Sequence, residues 1–413
     1  MICLDVTRMR RRWVLLAGAV IVMMFIAIYQ YSWSLFASGL NSNLGWSMTT
    51  IQAAFTLYTY AATFVQPLSG YFADKFGPRK IAVLASLLAA LGLSLNYMVS
   101  SPLHLYTYYA LGSIGVGMLY GISTSIAVKW FPDKRGLATG IVTFGFGAGT
   151  AIFNVPIQSW ISNFSVKTAF LYTGILMLIF IMPFTLLYSY PETAQTSEGQ
   201  RFKKEENAAN WRWHEMLKTG QWWLIYISFS IMAAIALLFG AQIVPMAKAS
   251  NVSANVLSLA LVAYPLANGF SRVLGGLISD HVGRQITATL FYTLAGAMMI
   301  ALSFTASNPI GFASFVVLTM LFAGAVFAFN PALIGDFYGP RYSTTNYGIT
   351  YTAKSWGGLI SGYVTAYFSA ALNNNYAPLT IGLGAGALIA AVLVSPWLLK
   401  KPRKKNVAEA RSP

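Results

Sequence analysis

The chain has 413 residues, 56% of them hydrophobic and only 9% charged, with a mean hydropathy of +0.60. A soluble domain carries about 25% charged residues, so the composition excludes large water-facing domains. The formal net charge of +16 would suit nucleic acid only with a basic groove or motif on a folded domain, and none is present; the alternative is basic residues held on one side of a lipid bilayer.

A membrane-spanning helix needs about 20 mainly apolar residues. Arg8, Arg10, Arg11 and Arg12 precede an apolar run over 13–36, which is too long for a signal-peptide core and lacks a small-residue cleavage site. It reads as the first span. In chain order the hydropathy pattern predicts helices at roughly 13–38, 46–72, 79–99, 103–128, 136–160 and 168–190. After a polar stretch, six more are predicted at roughly 219–247, 254–279, 285–306, 310–335, 343–372 and 377–400. The expected fold is an all-α polytopic membrane protein of about twelve transmembrane helices in two pseudo-symmetric six-helix bundles. Its expected parts are a terminal segment (1–12), one bundle (13–190), a linker (191–218), a second bundle (219–400) and a basic tail (401–413).

Of the 27 lysines and arginines, 23 fall before the first helix, in the linkers on that same side, or in the tail. Only Lys167 and Lys248 fall on the other side. The positive-inside rule then predicts an even helix count and both termini in the cytoplasm, with the chain in a bacterial inner (plasma) membrane. The one cysteine, Cys3, excludes a disulfide framework, and His104, His214 and His281 are scattered without metal-ligand spacing. No cofactor or metal is expected. No nucleophile–base set or phosphate loop points to an enzyme.

The chain repeats itself at an offset of 206 residues: Asp74 and Gly77 match Asp280 and Gly283, and Phe131 and Arg135 match Phe337 and Arg341. The G-x-x-x-D-x-x-G-x-R/K pattern, met at Gly70, Asp74, Gly77 and Arg79 and again, with the basic residue one position earlier, at Gly276, Asp280, Gly283 and Arg284, resembles the signature of the major facilitator superfamily. The resemblance implies that these loop charges tether neighbouring helices at the cytoplasmic end and gate the conformation. Asp133 and Arg135 after the fourth helix, and Asp336 and Arg341 after the tenth, join that expected set.

Two cations fall within predicted spans, Arg272 in AYPLANGFSRVLGG and Lys354 in YGITYTAKSWGG, while all eleven acidic residues are expected in loops or tails. A charge at mid-bilayer costs about 2.5–3.5 kcal/mol on insertion scales. Two of them without carboxylate partners call for negative charge from elsewhere, and an anionic substrate between the bundles would supply it. One alternative is that Arg272, only eight residues before Asp280, snorkels to the cytoplasmic surface.

The arginine of helix eight, NYG-x-x-x-x-AK in helix eleven, QYSW in helix one and WFPDKRGLA-x-G together resemble the oxalate/formate antiporter family across nearly the whole chain. That resemblance implies transport of small mono- or dicarboxylates, with Arg272 and Lys354 gripping the substrate and Gln30, Tyr31, Gln66 and Tyr120 facing it. The chain departs from the aromatic box that the family builds around oxalate. Phe146 and Phe327 stand for tyrosines, and Tyr351 and Ala323 for tryptophans, so a larger cavity with fewer hydroxyls is expected. Carboxylate chemistry survives these changes; oxalate as the substrate does not follow.

An occluded site holding two unpaired cations is costly, which favours anion exchange. The rival is a proton-coupled monocarboxylate symporter, in which Asn268, one turn before Arg272, offers the anion a polar neighbour. A sensor that binds carboxylate without moving it would need a signalling domain that the short linker and tail do not provide. The carrier is expected to act as a monomer.

Overall fold

The computed structural model describes residues 2–131, 134–191, 210–339 and 342–402. Twelve long helices run through them. The first, α1, covers 2–44 in three pieces (Ile2–Ile26, Ile28–Tyr31 and Trp33–Leu44). It is followed by α2 (Met48–Phe76), α3 (Pro78–Met98, its last turn 3-10) and α4 (Pro102–Trp130). Next come α5, over 135–163 with a break at Gly149, and α6 (Val166–Leu187). After the one-turn helix Trp213–Met216, the chain forms α7 (Gly220–Ala249), α8 (Ala254–Val282), α9 (Arg284–Thr305) and α10 (Pro309–Tyr338). Then α11 spans 343–371 in several pieces, and α12 is Ala377–Val394.

Ten of these are long and apolar enough to cross a membrane. The other two, α2 and α11, fall at expected spans but miss that measure. The reason is local: α2 carries Gln52, Thr56, Thr59, Thr63 and Gln66, and α11 is interrupted at Thr352 and again by a π-turn, Ile360–Val364. Several helix starts are fixed by caps that the preceding residues supply. Ser47, Ser101, Ser165, Thr219 and Asn308 each accept a hydrogen bond from a backbone N–H of the following first turn.

The repeat appears in the packing. Within the first six helices α2 packs on α4, α3 on α4 and α6, and α1 on α5 and α6. Six helices later, α8 packs on α10, α9 on α10 and α12, and α7 on α11 and α12. Between the bundles α5 meets α8, α2 meets α11, and α7 meets the second half of α1. Small residues set these approaches: a Cβ on Gly147 would strike the backbone of Gly269, and one on Gly240 would strike the carbonyl of Gln30.

The antiparallel run of helices sorts the charges. One end of the molecule carries Arg10–Arg12, Lys75, Arg79, Lys80, Lys129 and Arg284, while the opposite end carries Lys167 and Lys248. The carboxylates expected in loops lie instead in last helical turns. Asp74 is inside α2, Asp280 inside α8 and Asp336 inside α10, because these helices run to glycines at positive φ, Gly77 (88°), Gly283 (101°) and Gly339 (84°). Only glycine adopts that backbone readily, which fixes where each helix stops.

Candidate functional site

At successive turns α8 presents Tyr264, Asn268 and Arg272 toward the first bundle, all three buried. The Arg272 guanidinium turns inward rather than snorkelling. Its Nη2 donates to the Tyr31 hydroxyl at 3.2 Å and its Nη1 to the Thr143 carbonyl at 3.4 Å, and the residue is 4% exposed. Lys354, in the short helix just past the Thr352 break of α11, is also 4% exposed and donates to the Tyr351 hydroxyl at 3.4 Å. Among the described residues the ion pairs are Lys129–Asp74, Arg284–Asp280 and Arg284–Asp336; none involves Arg272 or Lys354.

Aromatic faces surround the two cations. Phe146 of α5 lies 5.6 Å from both the Arg272 guanidinium and the Lys354 ammonium, and Phe327 of α10 lies 5.0 and 5.6 Å from them. Tyr351 adds a third ring at 5.6 Å from Lys354. Each cation–π contact is worth about 0.5–2 kcal/mol, rising with desolvation. The two phenylalanines, expected only to lose hydroxyls, thus serve both charges at once. Tyr31 and Tyr120 pack edge-on against Phe146 at 5.8 and 5.1 Å, and Tyr120 stacks on Tyr351 at 6.2 Å.

The hydrogen-bond inventory around this cluster is unbalanced. Among the described residues, buried Arg272 Nε and Gln30 Nε2 are donors without a partner. Lys354 carries three N–H donors and makes a single long bond. Gln30 accepts from the Tyr58 hydroxyl at 3.2 Å, which fixes its amide beside Tyr31. Asn268 Oδ1 is an acceptor left over among the described residues, as are the Ser271 and Ser355 hydroxyls, which can also donate; the Asn268 oxygen presses where a Cβ on Gly324 would lie. A preponderance of donors beside two positive charges suits an anion with several acceptor oxygens.

The structure thus brings together Tyr31, Tyr120, Phe146, Asn268, Arg272, Phe327, Tyr351 and Lys354, with Gln30 adjoining. Gln66 stands apart, half-buried on α2, with no side-chain hydrogen bond among the described residues. Sequence reasoning missed Tyr58, Thr143, Phe229, Tyr264 and Tyr347. Two were within reach: Tyr264, Asn268 and Arg272 are spaced i, i+4, i+8, and Tyr347, Tyr351 and Lys354 are spaced i, i+4, i+7, each a single helix face. Phe229, whose ring lies 5.9 Å from Phe327 and 6.1 Å from Tyr351, had no such signal.

The loop positions divide. In the first half Asp74 accepts from Lys129 at 2.6 Å, tying α2 to α4, while Arg79 is exposed. In the second, Arg284 bridges Asp280 (3.1 Å) and Asp336 (2.9 Å), tying α8 to α10. A Cβ at Gly70 or Gly276 would meet nothing within 4 Å, so packing in this conformation does not demand glycine at either. Asp133, Arg341 and the side chain of Arg135 lie outside the described residues.

Hydrogen bonds that cross between the bundles cluster toward the opposite end. They include Lys248 Nζ to Ser38 Oγ (2.6 Å), Gln52 Nε2 to the Ala241 carbonyl (2.6 Å), and Asn154 Nδ2 to the Leu261 carbonyl (2.6 Å). Ser258 also donates to Gln158 (3.2 Å). Among the described residues none crosses nearer the basic end than those of Arg272.

The model of the major facilitator superfamily matches residues 15–244 and 224–413. The chain is 34% identical to the oxalate:formate antiporter of Oxalobacter formigenes over 85% of this chain and 83% of that protein. It is 26% identical to a probable sulfoacetate transporter, SauU, of Cupriavidus necator over 96% and 97% of the two chains. The fold is similar to the crystal structure of nucleoside transporter NupG, with a TM-score of 0.70 and 15% identity over 92% of this chain and 98% of that one. The chain is a multi-pass membrane transporter and belongs to the major facilitator superfamily, within its oxalate/formate antiporter family.

Proposed function

We propose that this transporter exchanges small carboxylate anions by alternating access, through a site centred on Arg272 and Lys354. The observation that carries the reading is a pair of buried cations with no carboxylate partner among the described residues, set among unpartnered donors and aromatic faces. The name of the relative from Oxalobacter formigenes supports the same substrate class. Phe146, Phe327, Tyr351 and Tyr120 wall the site, while Gln30, Tyr31 and Asn268 supply its neutral polar groups. The charge asymmetry supports an orientation with the basic end on the cytoplasmic side of a bacterial inner membrane. The outer gate is then the sealed one, held by Lys248, Gln52 and Asn154.

Exchange rather than uniport follows from electrostatics. Moving through an occluded state without an anion leaves two desolvated cations facing each other, at several kcal/mol per ion. A bound carboxylate removes that penalty, so the loaded carrier crosses faster. Purified protein in liposomes should take up labelled oxalate or formate much faster when the lumen already holds a carboxylate. Equal rates with and without internal anion would refute exchange.

A further inference from the structure

One residue of the first bundle occupies the donors of α8. Tyr31 lies in the single helical turn Ile28–Tyr31, where α1 breaks. Three successive turns of α8 converge on it: Tyr264 donates to its backbone carbonyl, and Asn268 Nδ2 and Arg272 Nη2 donate to its hydroxyl. A phenol oxygen has two lone pairs, so both are taken. The hydroxyl therefore acts toward α8 as a pure acceptor, the role a carboxylate oxygen plays toward a guanidinium and an amide. It is fully buried, and its ring is held between Phe146 and Tyr264.

We propose that the Tyr31 hydroxyl is a built-in stand-in for the substrate's carboxylate, holding Arg272 and Asn268 until an anion displaces it. This rests on the carboxylate reading of the site. A neutral oxygen is a weaker partner for a guanidinium than a carboxylate, so displacement runs in the anion's favour. Arg272 is poised for it, since its two bonds, at 3.2 and 3.4 Å, lie at the long end of the range and its Nε is unpartnered. Because Tyr31 belongs to α1 and its donors to α8, the same exchange of partners loosens one bundle from the other at the level of the site. The stand-in also gives the unloaded carrier a partial substitute for its anion, and so sets how much net flux leaks past exchange.

The opposite role, in which the hydroxyl donates to the bound anion, predicts the opposite sign. Binding of oxalate and formate to purified wild type and Tyr31→Phe is measured by calorimetry, and exchange is compared with net efflux of oxalate in liposomes. The stand-in predicts binding tighter by about twofold to tenfold in Tyr31→Phe. It also predicts that net efflux falls relative to exchange. Weaker or unchanged binding in Tyr31→Phe, with wild type binding normally, overturns the stand-in and leaves the carboxylate reading intact. If wild type binds neither anion nor any other of a carboxylate panel, both fall. Should Tyr31→Phe not be recovered folded, Tyr264→Phe removes the bond to the Tyr31 carbonyl and loosens Tyr31 while leaving the Asn268 and Arg272 donors in place; tighter binding supports the stand-in and weaker or unchanged binding overturns it.

Discussion

The two bundles share one packing plan and divide the chemistry unequally. The second contributes both cations, Arg272 and Lys354, where the repeat places Gln66 and Ala148 in the first. The first answers with neutral groups: the Tyr31 hydroxyl, the Thr143 carbonyl, the Gln30 amide and the Tyr120 ring. A symmetric site with four charges would hold six repelling pairs in place of one. With the charge concentrated in one bundle, the other meets it with dipoles and rings.

The strongest way to break this comparison is to move a charge across it. Arg272→Gln should cut carboxylate uptake by at least about 30-fold, since removing one buried charged partner costs about 2–5 kcal/mol. Adding Gln66→Arg to that variant should not restore uptake, because the Gln66 side chain makes no bond to the cluster; recovery would show that either bundle can carry the charge. Next in size, Phe146→Leu and Phe327→Leu keep apolar volume but remove a face shared by both cations. Each should lower stability by about 1–2 kcal/mol in thermal unfolding without added anion. Saturating oxalate should recover part of that loss.

Smaller effects test the ends of the molecule. With Cys3 replaced, a single cysteine at buried Ser34 reports access from the end bridged by Lys248 and Gln52. Gln52→Leu removes the bond to the Ala241 carbonyl and that from Trp33, and labelling from that side should rise several-fold. The smallest change is expected at the exposed ion pairs, each worth about 0.2–1 kcal/mol. Asp74→Asn should cost more than Asp280→Asn, because Arg284 keeps Asp336 while Lys129, among the described residues, keeps the face of Tyr190, 3.8 Å away, and no carboxylate. Equal unfolding temperatures would show that the two loops are energetically alike.

Much of the frame was legible because a bilayer imposes simple rules on composition. Apolar runs mark spans, and basic residues mark one end. The two central cations stood out for the same reason, since ionised residues inside apolar segments are rare. What surrounds them was harder to read. With 23 tyrosines and 27 phenylalanines, an aromatic residue carries no contrast, and the parts of Tyr58, Tyr264 and Phe229 emerge only when helices are paired in space. Phe146 and Phe327 read as lost hydroxyls because a sequence shows what a side chain lacks before it shows what its ring face meets. The last-turn positions of Asp74, Asp280 and Asp336 were hidden by a smaller effect: polar residues ended the apolar count before the backbone left the helix.

The π-turn of α11 has a geometric consequence for Lys354. A π-turn holds one residue more than a regular turn, and each residue of an α-helix advances about 100° around the axis. Ile360–Val364 therefore offsets the azimuth of everything beyond it by roughly one such step. Below the offset, Lys354 faces the two rings and Gly358 fits against Thr59. Above it, Thr365, Ala366 and Ser369 form the buried face. The carbonyls of Ser361 and Gly362, displaced from regular pairing, are claimed by Gln242 of α7. Deleting one residue from this turn would leave α11 a smoother helix with its lysine aimed at the wrong neighbour.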